Sequence, residues 1–511
     1  MVSERVRRGR DEPLDGVRGA RRSAGRTPVG IVAVVVSLVA DDARSVAVRL
    51  VTTKMNRFSS PRAIRPTAAA LPPGRIAMVG LTWTLDERTA SADGRGPRLG
   101  TLVSPGAPGG DPVSIPTPAL LTYTRRGEPA HLIPDVLDTL PPEARAFQTS
   151  LVHFMDHLSP STVADHPAGG AAYFGSLPTF VLATARDPVT NDLNAKPSNS
   201  ADATFVNTPV GVKKLTPADY MTWVRATRPH AFVALADESP GSFDGAPRKK
   251  IRAAATRTSQ WLDACVREAD GVPAFACVQG GADVDERRAS AAAAATRDDI
   301  LGFSIGGLGA GETPGSSRAA LLSASTEPLP AGKPRHASGL GAPLEALACV
   351  EAGVDLIDAS FCHRCTLDGH ALRFPKGPKG AGAKRKRSDG EGDAKEDREE
   401  EEEDEEEEED EETRLATGGD AHKMNLWALA YRADKRAIVP GCECFTCRHH
   451  SRAYIHHLLQ AHEMTAQVLL DAHNYHHYFG FFAAARDAIG AGNFDAFAAF
   501  HRRRAANAAS K

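Results

Sequence analysis

The stretch "RKKIRAAATRTSQWLDACVREADGVPAFACVQGG", residues 248–281, changes its hydrophobic period partway along. In its first part, apolar side chains recur at steps of three, four or seven residues, which is typical of one face of an α-helix. These side chains are Ile251, Ala255, Leu262 and Val266. Residues 274–281 then form a short apolar run that ends in two glycines, as buried strands do. A helix that leads into a buried strand is the repeating unit of an α/β fold with a parallel sheet.

The same alternation continues from about residue 78 to residue 376. Further short apolar or β-branched runs are separated there by stretches of helical character: 118–124, 179–184, 230–238, 302–309 and 353–360. Six or more such units over about 300 residues fit a TIM-like (β/α)8 barrel better than a Rossmann sheet. The stretch "GGLGAGE" (306–312) does not favour the Rossmann sheet, because it lacks the full strand–GxGxxG–helix context with a later acidic residue.

Four residues fall at the carboxyl ends of predicted strands: Asp237, Gln279, Gly307 and Asp358. Barrel enzymes assemble their active sites on this face. Such residues also merely cap loops, so both interpretations stay open for each of them.

The charge of the chain is concentrated in one segment. The formal net charge is −3 over 511 residues, yet residues 389–412 alone hold 19 acidic and 2 basic side chains. The rest of the folded body is close to neutral once the basic N-terminal segment and the four basic residues at 384–387 are set aside. Net charge therefore gives no argument for nucleic-acid binding.

Composition divides the chain into four segments. Residues 1–75 are predicted to be a disordered or targeting leader, whose apolar run 29–40 is too short to span a bilayer. Residues 76–376 form the barrel body, and 377–421 form a disordered acidic low-complexity insertion, because a run of like charges repels itself and buries nothing. Residues 422–505 contain three closely spaced cysteines and many histidines, and they are predicted to form a zinc-binding subdomain and C-terminal helices. No integral membrane segment is expected; the expected location is the cytoplasm, with association with mitochondria as the alternative.

Three cysteines stand close together with the spacing C-x-C-x2-C: Cys442, Cys444 and Cys447. This spacing lets three thiolates converge on one tetrahedral Zn²⁺. A fourth ligand is expected from the histidine-rich helical stretch that follows, where several residues are candidates: His449, His450, His456, His457, His462 and His473. Eight scattered cysteines in 511 residues do not make a disulfide framework. The predicted fold class is thus α/β, a (β/α)8 barrel with a C-terminal zinc-binding helical subdomain.

The remaining cysteines are interpreted differently. Cys362 and Cys365 also have C-x2-C spacing, but they follow a predicted barrel strand. We interpret this pair as incidental, because three cysteines and one histidine already complete a metal site within 441–473. Cys265 and Cys277 are expected to be core residues.

The stretch "CECFTCRHHSRAYIHHLLQAHEMTAQVLLDAHN", residues 442–474, resembles the C-terminal zinc segment of the tRNA-guanine transglycosylases, or queuine tRNA-ribosyltransferases. Upstream, "GGLGAGE" and the segment 333–365 resemble two further motifs of that family. The resemblance implies a (β/α)8 barrel with a zinc subdomain. It also implies one structural Zn²⁺ per subunit with four protein ligands: Cys442, Cys444, Cys447 and His473.

The resemblance further implies a reaction, in which an aspartate attacks C1′ of the ribose at the tRNA wobble position 34, guanine leaves and queuine takes its place. Asp358 matches the nucleophile, and Arg364 matches an arginine of the same motif. The second acid is missing, because Ala183 stands at its position, and the family's Q-Q-G motif reads "QGG" at 279–281.

These losses predict that the chain has no catalytic residue of its own. The resemblance then implies the accessory subunit of a heterodimer with a catalytic tRNA-guanine transglycosylase, which would meet tRNA through the complex. A divergent active enzyme that uses Asp358 as its nucleophile remains the alternative. A free-standing zinc module that binds RNA is a third class of function.

Five aromatic residues cluster after the zinc segment: Tyr475, Tyr478, Phe479, Phe481 and Phe482. In the family, helices of the zinc subdomain make the dimer contact, so this apolar cluster is a candidate interface. Ordinary core packing is the alternative.

Overall fold

A small antiparallel sheet covers one end of a barrel in the computed structural model, which describes residues 80–89, 91, 95–106, 111–166, 178–190, 199–238, 247–309, 316–375 and 413–510. Its strands are β1 (Thr82–Leu85), β2 (Gly100–Ser104) and β3 (Val113–Thr117). Leu102 and Ile115 from this sheet are buried in one apolar cluster with residues from the barrel strands, such as Phe275. Next to β2, the buried Arg98 pairs with the buried Asp355 at 2.5 Å, so an ion pair joins the sheet to the barrel.

Eight parallel strands form the closed barrel. In order around it they are β4 (Ala119–Thr124), β5 (Ala146–Ser150), β6 (Phe180–Thr184), β9 (Ala231–Val233), β10 (Ala274–Val278), β11 (Gly302–Ile305), β12 (Arg335–Ala337) and β13 (Leu356–Asp358). A hairpin of β7 (Thr204–Thr208) and β8 (Gly211–Leu215) lies between β6 and β9 in the chain. β13 pairs with β4 and closes the barrel, so the predicted (β/α)8 fold is confirmed.

Helices connect the strands as the alternation predicts. In chain order they are α1 (Pro134–Leu137), α2 (Pro160–Ala164), α3 (Pro217–Thr227), α4 (Arg248–Arg267), α5 (Val284–Ala295), α6 (Ser316–Thr326), α7 (Pro343–Glu351) and α8 (Ser360–Leu367). The α3 helix begins with a capping box between Thr216 and Asp219, and Asp283 caps the first backbone N–H groups of α5. Within the described residues, no helix is long and apolar enough to cross a membrane.

Two barrel strands, β5 and β12, were not among the apolar runs of the sequence, because their buried side chains are largely polar. Gln148 on β5 and His336 on β12 hydrogen-bond each other across the barrel at 2.8 Å. The Ser304 hydroxyl oxygen forms a hydrogen bond of 3.0 Å with the other ring nitrogen of His336, Nδ1. The Nε2 group of Gln148 donates to the Ser338 hydroxyl oxygen at 2.9 Å. Burial lowers the pKa of His336 to about 3, so the imidazole is neutral, and its two hydrogen bonds are compatible with that form. A satisfied polar chain therefore fills positions that hydrophobic periodicity cannot detect.

The C-terminal part forms a second small core against the barrel. Its elements are β14 (His370–Leu372), β15 (Lys423–Asn425), α9 (Phe445–His449), α10 (Arg452–Gln460), α11 (Thr465–Gly490) and α12 (Phe494–Ser510). The first turns of α11 bury Leu469 and Leu470 in this second core. Later turns of the same helix bury Tyr475 and Tyr478 in the main core. One long helix thus belongs to both cores and joins them.

The aromatic cluster on α11 is core, and its interpretation as an interface is wrong. Its five side chains are at most 3% exposed: Tyr475, Tyr478, Phe479, Phe481 and Phe482. The ring of Phe481 packs against Phe374, Phe497 and His501, with centroids 5.0–5.5 Å apart. These aromatic side chains are buried within the chain itself, so their surface is not accessible to a partner.

The segments predicted as leader and insertion lie mostly outside the described residues. The leader, 1–75, does so entirely, and so do residues 377–412 of the insertion. Residues 413–421 are described: a helical turn spans 413–416, and Arg414 is buried and donates to Arg373 O at 3.3 Å. The folded C-terminal part therefore begins at or before residue 413, several residues earlier than the predicted boundary at 421.

Replacing residues 378–411 by a short Gly-Ser linker should leave the melting temperature nearly unchanged. The acidic run offers no apolar side chains to bury, and the pairing of β14 with β15 already brings both ends of the insertion together. Extending the deletion to residue 420 should lower the melting temperature, because it removes Arg414 and the Asp420 carboxylate that caps the N–H groups of His422 and Lys423. Thermal melts of both variants test this; equal losses would mean that residues 413–420 add nothing to the stability of the fold.

Candidate metal centre and barrel mouth

The four predicted metal ligands lie together beside α9. The ligand atoms of Cys442, Cys444, Cys447 and His473 all lie within 4.8 Å of one another. His473 Nδ1 is 3.5 Å from Cys444 Sγ and 3.4 Å from Cys447 Sγ. In a tetrahedral site with metal–sulfur bonds of about 2.3 Å and metal–nitrogen bonds of about 2.0 Å, nitrogen and sulfur are about 3.5 Å apart. The cluster therefore has the size and donor set of a four-coordinate site and could hold a metal ion.

Local backbone structure turns the cysteines toward one point. Cys444 is the N-cap residue of α9, and its Sγ accepts a hydrogen bond from the backbone N–H of Cys447 at 3.2 Å. Gly441 has a φ of 68°, and the N–H of Cys442 donates to Val439 O at 3.2 Å, so the chain turns tightly just before α9. His473 reaches the same point from the third turn of α11.

A backbone hydrogen bond orients the His473 ring. Its Nε2 lies 2.8 Å from Leu372 O on β14, which requires a proton on Nε2 and turns Nδ1 toward the thiols. Burial alone would lower the pKa of His473, but hydrogen bonds with Cys442 and Cys444 raise it to about 9. Hydrogen bonds from Cys444 and Cys447 lower the pKa of Cys442. The cluster thus favours a thiolate beside a positive charge, and a metal ion would replace the proton on Nδ1.

The other candidate histidines do not reach the cluster. His456 is buried, and its Nδ1 hydrogen-bonds Leu426 O at 2.9 Å. His449, His457 and His462 are exposed, and His450 is partly exposed. One neighbour was missed: the His477 ring stacks on the His473 ring with centroids 5.5 Å apart, and its Nε2 bonds the backbone of Phe374. The four-residue step from His473 along one helix face was the available signal.

Cys265 and Cys277 are core thiols, as predicted, and the pair Cys362 and Cys365 is buried as well. Burial raises the pKa of Cys265, Cys277 and Cys365 to about 12, so these groups stay protonated at neutral pH. Cys362 and Cys365 lie on α8 and form no metal cluster among the described residues.

At the barrel mouth, the predicted nucleophile position is buried and hydrogen-bonded. Asp358 ends β13 and is 0% exposed. Its two oxygens accept hydrogen bonds from the backbone N–H groups of Gly339, at 2.5 Å, and Ser360, at 2.9 Å. Ala183, at the position of the missing acid, lies on β6 and offers no proton, while Arg364 lies on α8 and is partly exposed.

The other three strand-end positions contact groups of the chain itself. Asp237 is 4% exposed and accepts hydrogen bonds from Arg257 at 2.6 Å and Asn199 at 2.5 Å. Gln279 is 0% exposed, with its Nε2 3.2 Å from Cys277 Sγ. The backbone N–H of Gly307 donates to Glu238 Oε2 at 2.9 Å. Gln279 directly follows β10 and Gly307 lies two residues after β11, whereas Asp237 lies four residues beyond the end of β9. The hydrogen bonds of Asp237 and Gly307 join separate segments of the mouth.

Arg186, which the sequence analysis did not single out, crosses this mouth. It follows β6 and donates from Nη1 to Glu238 Oε2 at 3.1 Å and from Nη2 to Leu308 O at 3.0 Å. Its side chain is only 10% exposed. A guanidinium group therefore joins the loops that follow β6, β9 and β11. The only sequence signal was an arginine directly after a predicted strand.

A second polar cluster at the mouth was also missed. Asp187 Oδ2 lies 3.0 Å from His153 Nε2, and Asp187 Oδ1 accepts from the Tyr123 hydroxyl at 3.1 Å. Although burial opposes it, the hydrogen bond from His153 holds the pKa of Asp187 below its usual value. Burial raises the pKa of Tyr123. Neither a carboxylate with a low pKa nor a phenol with a raised one is suited to protonate a leaving base at neutral pH.

Comparisons with known proteins agree with this geometry. The family described as TGT, queuine tRNA-ribosyltransferase, matches residues 93–507. A Xenopus tropicalis protein named queuine tRNA-ribosyltransferase accessory subunit 2 is 32% identical over 435 residues, which cover 80% of this chain and 97% of that protein. The Homo sapiens protein of the same name is 29% identical over 404 residues, 77% of this chain and 94% of that protein.

A Thermus thermophilus protein named queuine tRNA-ribosyltransferase is 31% identical over 261 residues, which cover 50% of this chain and 55% of that protein. The match to the family thus extends from β2 almost to the end of α12, through both the barrel and the cysteine cluster. The chain belongs to the queuine tRNA-ribosyltransferase family.

Proposed function

We propose that this chain is the non-catalytic subunit of a heterodimeric queuine tRNA-ribosyltransferase, whose partner exchanges guanine for queuine at position 34 of tRNA. The proposal rests on the residues found at the barrel mouth. Ala183 stands where a proton donor is needed, and Arg186 occupies the space between the loops that follow β6, β9 and β11. The names of the relatives as accessory subunits support the same role.

The chemistry of the exchange explains why these features matter. Guanine is a poor leaving group unless its ring is protonated as it departs, and help of this kind is worth roughly 10²–10⁴-fold in rate. Both oxygens of Asp358 also accept hydrogen bonds from backbone N–H groups, which hold the side chain inside the protein. Because the proton donor is missing, these residues favour a role in binding a catalytic partner over cleavage of a glycosidic bond.

We further propose that the cysteine cluster holds one structural Zn²⁺. Three thiolates and one imidazole form a soft donor set that selects Zn²⁺ over Mg²⁺ or Ca²⁺. Four protein ligands leave no open position for water, so the ion would stabilise the fold of 422–490 and take no part in the reaction. Thiol ligands stay reduced in the cytoplasm, which is the proposed location; association with mitochondria remains the alternative.

The proposed surface for the catalytic partner is an aromatic patch on the zinc side, made of Phe445, His449, His450 and Tyr454. Phe445 and Tyr454 are 40% and 41% exposed. The His450 ring stacks on Tyr454 with centroids 5.1 Å apart, and the His449 ring lies 5.0 Å from Phe445. Exposed aromatic groups beside polar ones are typical of the centre of a protein interface. tRNA would meet the chain through the assembled complex.

Cys444→Ala should remove one zinc ion per chain and lower the melting temperature, because binding of a structural zinc contributes directly to folding. Metal analysis by mass spectrometry and thermal melts measure both effects. Cys365→Ala is the matched control: it also truncates a buried cysteine, but it should keep the zinc. An undiminished zinc content in Cys444→Ala would contradict the assignment.

Phe445→Ala combined with Tyr454→Ala should weaken the heterodimer by about 30-fold or more in Kd, since loss of aromatic anchors at an interface costs about 2 kcal/mol or more. Binding to the catalytic subunit can be measured by calorimetry. Val210→Ala, at an apolar residue 64% exposed between β7 and β8, should leave Kd unchanged. If both variants bind like the wild type, the partner binds elsewhere.

The isolated chain should form no covalent adduct with tRNA and should exchange no guanine. In the reconstituted heterodimer, Asp358→Asn should keep the exchange activity per folded complex within a few-fold of wild type, because the reacting carboxylate belongs to the partner. Guanine exchange is measured for each chain alone and for both together, with thermal melts to correct for any loss of folded protein. An adduct between this chain and tRNA that disappears in Asp358→Asn would establish the divergent enzyme instead.

A further inference from the structure

We propose that His131, His363 and Asp471 form a second metal site, which binds a divalent transition metal such as Zn²⁺ independently of the cysteine cluster. The three residues come from the turn between β4 and α1, from α8 and from α11. Their ligand atoms all lie within 4.8 Å of one another. His131 Nδ1 is 2.8 Å from Asp471 Oδ2.

The strongest sign of a missing ligand is the second oxygen of Asp471. The residue is 1% exposed, and while Oδ2 meets His131, Oδ1 is buried and has no hydrogen-bond partner among the described residues. A buried carboxylate oxygen without a partner is costly, because water is not there to solvate it. A cation bound between Asp471 and the two imidazoles would satisfy this oxygen.

The two imidazole rings are arranged to share one ion. The rings of His131 and His363 have centroids 5.4 Å apart and planes 20° apart, and one nitrogen of each ring lies within 4.8 Å of the other and of an Asp471 oxygen. Tyr123 closes the other side, with its ring centroid 4.9 Å from that of His363. His363 is 2% exposed, and burial lowers its pKa, which keeps the imidazole in the neutral form that binds metals.

The charges around the site permit a divalent ion. Arg125 lowers the pKa of His363 and Asp187 raises it, so charges of both signs lie near the site. Asp471 then supplies the one negative charge among the three ligands. Two imidazoles and one carboxylate are a donor set used by Zn²⁺ and by non-haem iron, and three protein ligands leave at least one position open.

His131 is the ligand through which an ion could enter the site and whose movement could shorten the distances between the donor atoms. Bonds of about 2.0–2.1 Å to one ion bring donor atoms to about 3 Å from one another. The side chain of His131 is 14% exposed, the most of the three, and it lies in a turn, so we expect this ring to move to close the site around an ion from solvent. The ion would then join the barrel rim directly to α11.

Metal titration of the full chain tests the proposal. The protein holding one ion in its cysteine cluster is dialysed against Zn²⁺ alone and, separately, against Co²⁺ alone, and bound metal is counted by mass spectrometry. Wild type should take up a second ion, for a total of two per chain. Asp471→Asn and His363→Gln should each stop at one. The second Co²⁺ should add weak visible absorption without the near-ultraviolet band of a cobalt–thiolate bond, because this site has no sulfur.

Two further variants keep the test decisive. His457→Gln, at an exposed histidine on α10, should still bind two ions and shows that the uptake is not adventitious. His131→Asn changes the most exposed ligand and should bind one ion, even if the buried substitutions prevent folding. A total of one ion in the wild type, or of two in folded His131→Asn, would overturn the proposal.

Discussion

The hydrogen bond between His473 and the carbonyl of Leu372 joins β14 to the cysteine cluster and the long helix α11. It fixes which nitrogen of the imidazole faces the thiols, so the same contact that holds β14 in place also prepares a metal ligand. Asn474, the next residue, accepts from the N–H of Leu372 at 2.7 Å and donates to His370 O at 3.1 Å. Two consecutive side chains of α11 thus satisfy the buried backbone of β14. Without them, its polar groups would stay unpaired in the interior, at a cost of about 1–3 kcal/mol each.

At the end of the barrel that the small antiparallel sheet covers, buried polar groups also satisfy one another. Arg98 and Asp355 are 1% and 0% exposed, and Asp355 Oδ2 also accepts from the N–H of Arg335 at 2.7 Å. Arg98 donates to Ala331 O and Lys333 O as well, so its charge is surrounded by acceptors. A buried ion pair stabilises a fold only when its remaining hydrogen bonds are made, and here they are. The mouth and the closed end of this barrel are therefore both held by guanidinium groups, Arg186 and Arg98.

Sequence patterns predicted what is local and missed what only the fold brings together. Hydrophobic periodicity identified β10 and α4. The spacing of Cys442, Cys444 and Cys447 predicted the cluster because all three lie within six consecutive residues. The polar strands β5 and β12 have no apolar run, and their partners, Gln148 and His336, are 188 residues apart. The aromatic residues of α11 could equally have belonged to a core or an interface, since both bury apolar surface. Only the packing around Phe481 distinguishes the two.

The pairing of β14 with β15 also bears on how this chain can vary in length. Arg373 N–H bonds His422 O at 2.8 Å, so everything between these residues is, in topological terms, the loop of a hairpin. For a flexible loop, the entropy of closure grows only with the logarithm of its length, and doubling the number of residues costs about 0.6 kcal/mol. Acidic residues can therefore be gained or lost at this point with little thermodynamic selection against them. Length differences between related chains should concentrate here and leave the register of β14 and β15 untouched.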